Sequence, residues 1–81
     1  MRAIIIRECE NGRSFRLETD LPFLPHEGLM IQPRKHGTAV TVSGVKYICE
    51  DNALLVFTKD RATDSDVALM LKEGGWVRDT Y

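Results

Sequence analysis

Two cysteines, three prolines and one tryptophan are all this 81-residue chain contains of those residues. No stretch of it approaches the roughly 18 consecutive apolar residues of a membrane-spanning helix. Two cysteines are too few for the disulfide framework of a small secreted domain. Cys9 and Cys49 fall on separate predicted strands and read as reduced, small buried hydrophobes, with a bridge between neighbouring strands as the alternative. Neither sits in a CxxC or beside clustered histidine, so a metal site is not expected. The apolar stretch within Met1–Arg7 is too short for a signal peptide and charge follows it at once, which makes a cytoplasmic setting the expectation.

The chain also lacks a surplus of either charge. Its net charge is −1, against the basic excess of a dedicated nucleic-acid binder. Residues 1–46 carry seven Lys/Arg and five Asp/Glu, and residues 47–81 carry four and seven, too small a swing for a charged tail. With 43% hydrophobic and 28% charged residues, the composition is that of a folded domain rather than a disordered chain. A chain of 81 residues suits one domain, 1–81, with a thin core.

What the chain has is period-two alternation. Residues 2–9 read as an isoleucine-rich strand, and Glu10-Asn11-Gly12-Arg13 as a turn in which Asn-Gly suggests the type I′ hairpin. A second strand follows, with Phe15, Leu17, Thr19 and Leu21 facing in and Arg16, Glu18 and Asp20 facing out. Pro22 and Pro25 make residues 22–28 a stiff loop that cannot continue a central strand. Leu29–Gln32 reads as a third strand and Pro33–Gly37 as a turn. The fourth strand, about Thr38 to Cys49, changes phase. Val40 and Val42 alternate with Thr41 and Ser43, but after Gly44 the apolar set restarts one residue late, at Val45, Tyr47 and Cys49. A slip of one residue turns every following side chain to the other face, so a bulge or bend at Ser43-Gly44 is expected, with glycine permitting it. Ala53–Thr58 completes five strands.

The remainder reads as a helix of about residues 64–73. Thr63 and Asp66 resemble a capping box, Val67, Met70 and Leu71 form one face, and Gly74-Gly75 ends it. Trp76-Val77 returns to the body as a short extended segment. The fold class expected is mainly β with one short C-terminal helix, a small five-stranded Src-homology-3-like barrel with the helix capping an open end.

Catalytic groups do not converge in this pattern. Ser14, Ser43 and Ser65 lack a nucleophile-elbow context, and His26 and His36 sit in loops without helical i, i+4 spacing. Asp60, Asp64 and Asp66 mimic part of a calcium loop but lack its glycine and closing glutamate, so solvation and helix capping account for them. No enzyme activity and no cofactor are expected. Phe23 and Leu24, on the proline-stiffened loop, are candidate partner anchors, with plugging of the barrel end as the alternative. Trp76 divides in the same way: an anchor if exposed, a dock for the helix if buried. Arg34, Lys35 and His36 form the densest cationic spot, and with Arg13 and Arg16 they are the candidate phosphate contacts of a weak RNA- or DNA-binding barrel. Tyr47, Phe15 and Phe57 could stack bases, but their alternating positions place them in the core. Ile4, Ile5 and Ile6 put apolar groups on both faces of one strand, and a homodimer would cover the second face.

Leu21-Pro22-Phe23-Leu24-Pro25-His26-Glu27-Gly28, leading into Leu29–Ile31 and closing on Glu73-Gly74-Gly75-Trp76, resembles small uncharacterised bacterial and prophage-encoded β-barrel proteins. The resemblance spans most of the chain in architecture. It implies a compact phage or mobile-element accessory protein rather than an enzyme, and carries over no functional residue. The expected function is therefore a non-enzymatic interaction module with a protein partner, and nucleic-acid binding is the alternative.

Overall fold

A computed structural model describes residues 1–78. Its strands are β1 (Arg2–Glu8), β2 (Ser14–Asp20), β3 (Met30–Ile31), β4 (Val40–Ile48), β5 (Ala53–Thr58) and β6 (Trp76–Arg78), with one helix, α1 (Asp64–Glu73), between β5 and β6. They form one sheet in the order β3-β4-β5-β1-β2-β6. The protein is mainly β with one short helix near its C-terminus, and the sheet is curled into a half-barrel. Two features of the expected fold are corrected. The described residues hold six strands rather than five, because the segment after Gly75 pairs with β2 as an edge strand. The sheet is also mixed: β1 runs parallel to β5 in its centre. No helix among the described residues is long and apolar enough to cross a membrane.

Alternation decides which face is core. Ala3, Ile5 and Cys9 of the first strand segment, Phe15, Leu17 and Leu21 around β2, Val40 and Val42 of β4, and Leu54 and Val56 of β5 are all buried on the side that α1 covers. Met70 seals this side from the helix, with Val67 half-buried beside it. Leu71, expected on the same face, is exposed; ten residues give α1 a narrow buried stripe.

The phase change of β4 is a bulge. Val42 pairs with Thr58 and Gly44 with Phe57, which leaves Ser43 as the extra residue. Glycine is not required there: Gly44 does not have positive φ, and a Cβ built on it meets nothing within 4 Å. The bulge keeps Val45 and Tyr47 on the helix side of the sheet, since they pair with Val56 and Leu54. Both are nevertheless exposed, because α1 does not reach across that end of β4.

The β1–β2 turn also differs from the type I′ form. Cys9 N–H donates to Arg13 O at 2.7 Å and Gly12 N–H to Cys9 O at 3.0 Å, closing a three-residue loop. Gly12 alone of Asn11 and Gly12 has positive φ, the pattern of a turn followed by a glycine bulge. The capping box of α1 forms as its spacing predicts: Thr63 Oγ1 accepts from Asp66 N–H while the Asp66 carboxylate accepts from Thr63 N–H.

Among the described residues no strand pairing joins β3 to β6 to close the curl. A side chain does. The β3–β4 loop, at one edge of the sheet, meets the α1–β6 junction at the other through Glu73. Arg34 Nη1 donates to Glu73 O at 3.1 Å, Thr38 N–H donates to Glu73 Oε1, and Trp76 Nε1 donates to Glu73 Oε2 at 3.2 Å.

Candidate functional site

The loop between β2 and β3 is anchored at both ends. Leu21 is buried and its N–H donates to Met1 O at 2.8 Å; Pro25 is buried; Gly28 N–H donates to Val42 O at 2.8 Å. Between these anchors Phe23 is 45% exposed and Leu24 65% exposed. Neither plugs the sheet's end. An apolar pair held outward on a backbone fixed by proline and hydrogen bonds has little freedom left to lose on binding.

Trp76 is not part of such a surface. It is 6% exposed, and its indole is held by Glu73, so of the two roles open to it the structure shows the docking one.

The five candidate phosphate contacts do not share a surface. Arg16 pairs across from Ile6 and lies on the face away from α1, near Arg2 and Glu18. Arg34 is bonded to the last residue of α1, where its charge also meets the negative end of the helix dipole. Arg13 occupies the β1–β2 turn, while Lys35 and His36 are exposed in the β3–β4 loop. Of the aromatic residues expected in the core, Phe15 is buried, whereas Tyr47 and Phe57 are exposed.

His36, Thr38, Leu69, Lys72 and Glu73 line a shallow recess of about 320 Å³. The Glu73 carboxylate there is already committed to two N–H donors, which makes it a structural clasp rather than a free base. No group of three or more His, Cys, Asp or Glu side chains placed to hold a metal ion occurs among the described residues. The acidic run divides by role: Asp66 caps α1, and its carboxyl is held below the usual carboxylate range by the Thr63 backbone N–H, the Thr63 hydroxyl and the Arg7 guanidinium.

Sequence reasoning passed over Arg7. It shares the parity of Ala3 and Ile5, the signal that could have placed it inside, and it is 6% exposed beneath α1. Nη1 donates to Met70 Sδ at 3.5 Å, Nη2 lies 3.7 Å from Asp66 Oδ2, and Nε has no partner among the described residues. Cys9 and Cys49 are both free, the first buried and the second exposed, so the expected burial of Cys49 is corrected. They lie toward opposite ends of the sheet, since Cys49 follows the residue paired with Ala53 and β5 runs parallel to β1 from Ala3 onward. A bridge between them is out of reach of disulfide geometry.

Among the described residues no element packs on the face of the sheet away from α1. Ile4, Ile6, Ile48 and Leu55 are half-buried there and line a hollow of about 370 Å³, with Phe57 on the same face beside Ile6. Comparison with protein-family models, with curated proteins and with solved structures finds no match to this chain.

Proposed function

We propose that the protein is a non-enzymatic interaction module that engages a protein partner through the loop of residues 22–28, with Phe23 and Leu24 as the anchors. The observation that carries this reading is their exposure on a loop whose flanking residues Leu21 and Pro25 are buried. Aromatic and aliphatic anchors on a preorganised backbone are what a partner's pocket selects. An accessory role in a phage or mobile element accords with this reading and belongs to the proposal. Nucleic acid fits less well: net charge is −1 and the cations are divided between surfaces, whereas phosphate affinity is built from several contacts acting together.

The test is affinity capture with the immobilised protein and with three variants: Phe23→Ala, Leu24→Ala, and Leu69→Ala as an exposed control on α1. The expected result is a partner retained by the parent and by Leu69→Ala but lost with either loop variant. If every captured protein persists with both loop variants, the reading is overturned.

A further inference from the structure

The face away from α1 pairs with a second copy of this chain about a two-fold axis running along the strands between β5 and β1: this we infer from the register of the sheet. The inference goes beyond the loop of residues 22–28 and does not depend on it. Three observations carry it: an apolar stripe on which no described element packs, a balance of charge around that stripe, and the order of residues within single cross-strand rows.

The stripe occupies the two central strands. Ile4 and Ile6 of β1 stand next to Leu55 and Phe57 of β5. The charges on the same face flank them with both signs. Arg2, Arg16 and Lys46 are the cations; Glu18, which already accepts from Arg2, Asp20, which accepts from the N-terminal ammonium, and Asp51 are among the anions. A mixed rim of this kind suits a partner that carries the same mixture, and fits poorly to a polyanion.

The register makes the match specific. Lys46 pairs with Leu55, Leu55 with Ile4, and Ile4 with Glu18, so one row across the sheet reads Lys-Leu-Ile-Glu. The next row reads Gly44, Phe57, Ile6, Arg16. A two-fold axis along the strands reverses each row while keeping its level. Lys46 then faces Glu18 of the second copy, and Leu55 faces its Ile4. Phe57 faces Ile6, and Arg16 meets the side-chain-free space over Gly44, where nothing lies within 4 Å of a Cβ position. This is the self-complementarity an isologous interface demands, and the product is a two-sheet sandwich with a helix on each outer side.

The area is that of a weak interface. The curl carries the edge strands β3 and β6 away from a partner, so contact is confined to β4, β5, β1 and β2. Four strands at about 4.8 Å spacing and about 7 residues at about 3.3 Å give on the order of 400 Å² per copy. Two copies bury on the order of 900 Å², near the lower bound of a specific interface, so a weak, concentration-dependent dimer is expected.

Sedimentation equilibrium across a concentration series tests this, with far-UV circular dichroism to verify folding. The expected mass at high concentration is twice 9.2 kDa. Lys46→Glu and Glu18→Lys should each weaken the dimer, and the double reversal should restore it in part, because the change at position 18 also gives up the ion pair with Arg2. Ile6→Glu should raise the dissociation constant about a hundredfold, because it places an unpaired charge in the buried stripe. Phe57→Ala should weaken association in a smaller step and serves if Ile6→Glu fails to fold. Phe23→Ala and Leu24→Ala should leave the mass unchanged, which separates this inference from the loop reading. A mass of 9.2 kDa throughout the series overturns the inference, whatever else binds the face. A dimer indifferent to Ile6→Glu and Phe57→Ala also overturns it, as does one that the double reversal fails to restore even in part.

Discussion

The Glu73 carboxylate stands 3.2 Å from the indole nitrogen of Trp76 and at the same time receives the backbone N–H of Thr38. These partners come from opposite edges of the sheet, one from the β3–β4 loop and one from β6. A strand ladder would have closed a barrel. Here one carboxylate spans the gap, with Arg34 reinforcing it from the backbone side.

Removing that carboxylate leaves two donors without a partner at a partly buried seam. Glu73→Ala should destabilise the fold by about 1–3 kcal/mol, and each kcal/mol lowers the melting temperature by about 4–8 °C in a domain of this size. Trp76 is the single tryptophan, so its emission reports the seam directly and should shift to the red. An unchanged melting temperature and emission would refute the clasp.

The glycines divide by geometry. Gly75 has φ of +87°, and a Cβ there would lie 2.8 Å from Leu17 Cδ1 and 2.6 Å from Arg34 Nη2. Gly75→Ala should therefore destabilise by about 1 kcal/mol or more through strain and displacement together. Gly44→Ala, with open space and no positive φ, should stay within about 0.5 kcal/mol of the parent. Urea midpoints for the two variants give the comparison.

Asp66 sets part of the response to acid. Its carboxyl titrates below the ordinary value of 3.8 in the folded chain, first through the Thr63 backbone N–H, then the Thr63 hydroxyl, with Arg7 adding to them. The folded state thus binds that proton less tightly than the unfolded state. Its contribution is complete above the ordinary value and is lost as pH falls through the folded-state value. Urea midpoints at about pH 5 and about pH 2.5 should differ less in Asp66→Asn than in the parent.

Arg7 is buried with only partial satisfaction: a thioether at 3.5 Å, a carboxylate at 3.7 Å and an Nε unpaired among the described residues. Replacing a buried charge with an apolar side chain of similar length is often neutral or stabilising, whereas truncation opens a void. Arg7→Met should match or exceed the parent in urea denaturation, and Arg7→Ala should fall about 2 kcal/mol or more below it.

The two thiols should react in order. Burial pushes the Cys9 thiol above its ordinary range, against the smaller opposing effect of Arg7, while Cys49 is exposed. A chromogenic disulfide reagent should titrate one thiol per native chain quickly and the second only on unfolding. Two fast thiols would place Cys9 at the surface.

The position of α1, its capping box and the bulge at Ser43 were legible in the residues, because each depends on neighbours within a few positions. So was the inward set of β2, where parity alone assigns Phe15, Leu17 and Leu21. Long-range pairing was less accessible. That β1 lies parallel to β5, or that Trp76–Arg78 joins β2, depends on contacts between segments 50 or more residues apart, which local pattern does not encode. Burial was legible only as a face: parity places Val45 and Tyr47 on the helix side, but the reach of a ten-residue helix leaves them exposed. Two prolines mark Phe23 and Leu24 as candidates; only the packed anchors on either side turn them outward. The chain by itself therefore determined its elements, their caps and their faces, because these are set by the two periodicities of the backbone and by nearby hydrogen bonds. The tertiary structure decided which faces are covered and how the curl is held, because a helix of ten residues can shield only one side of a six-stranded sheet.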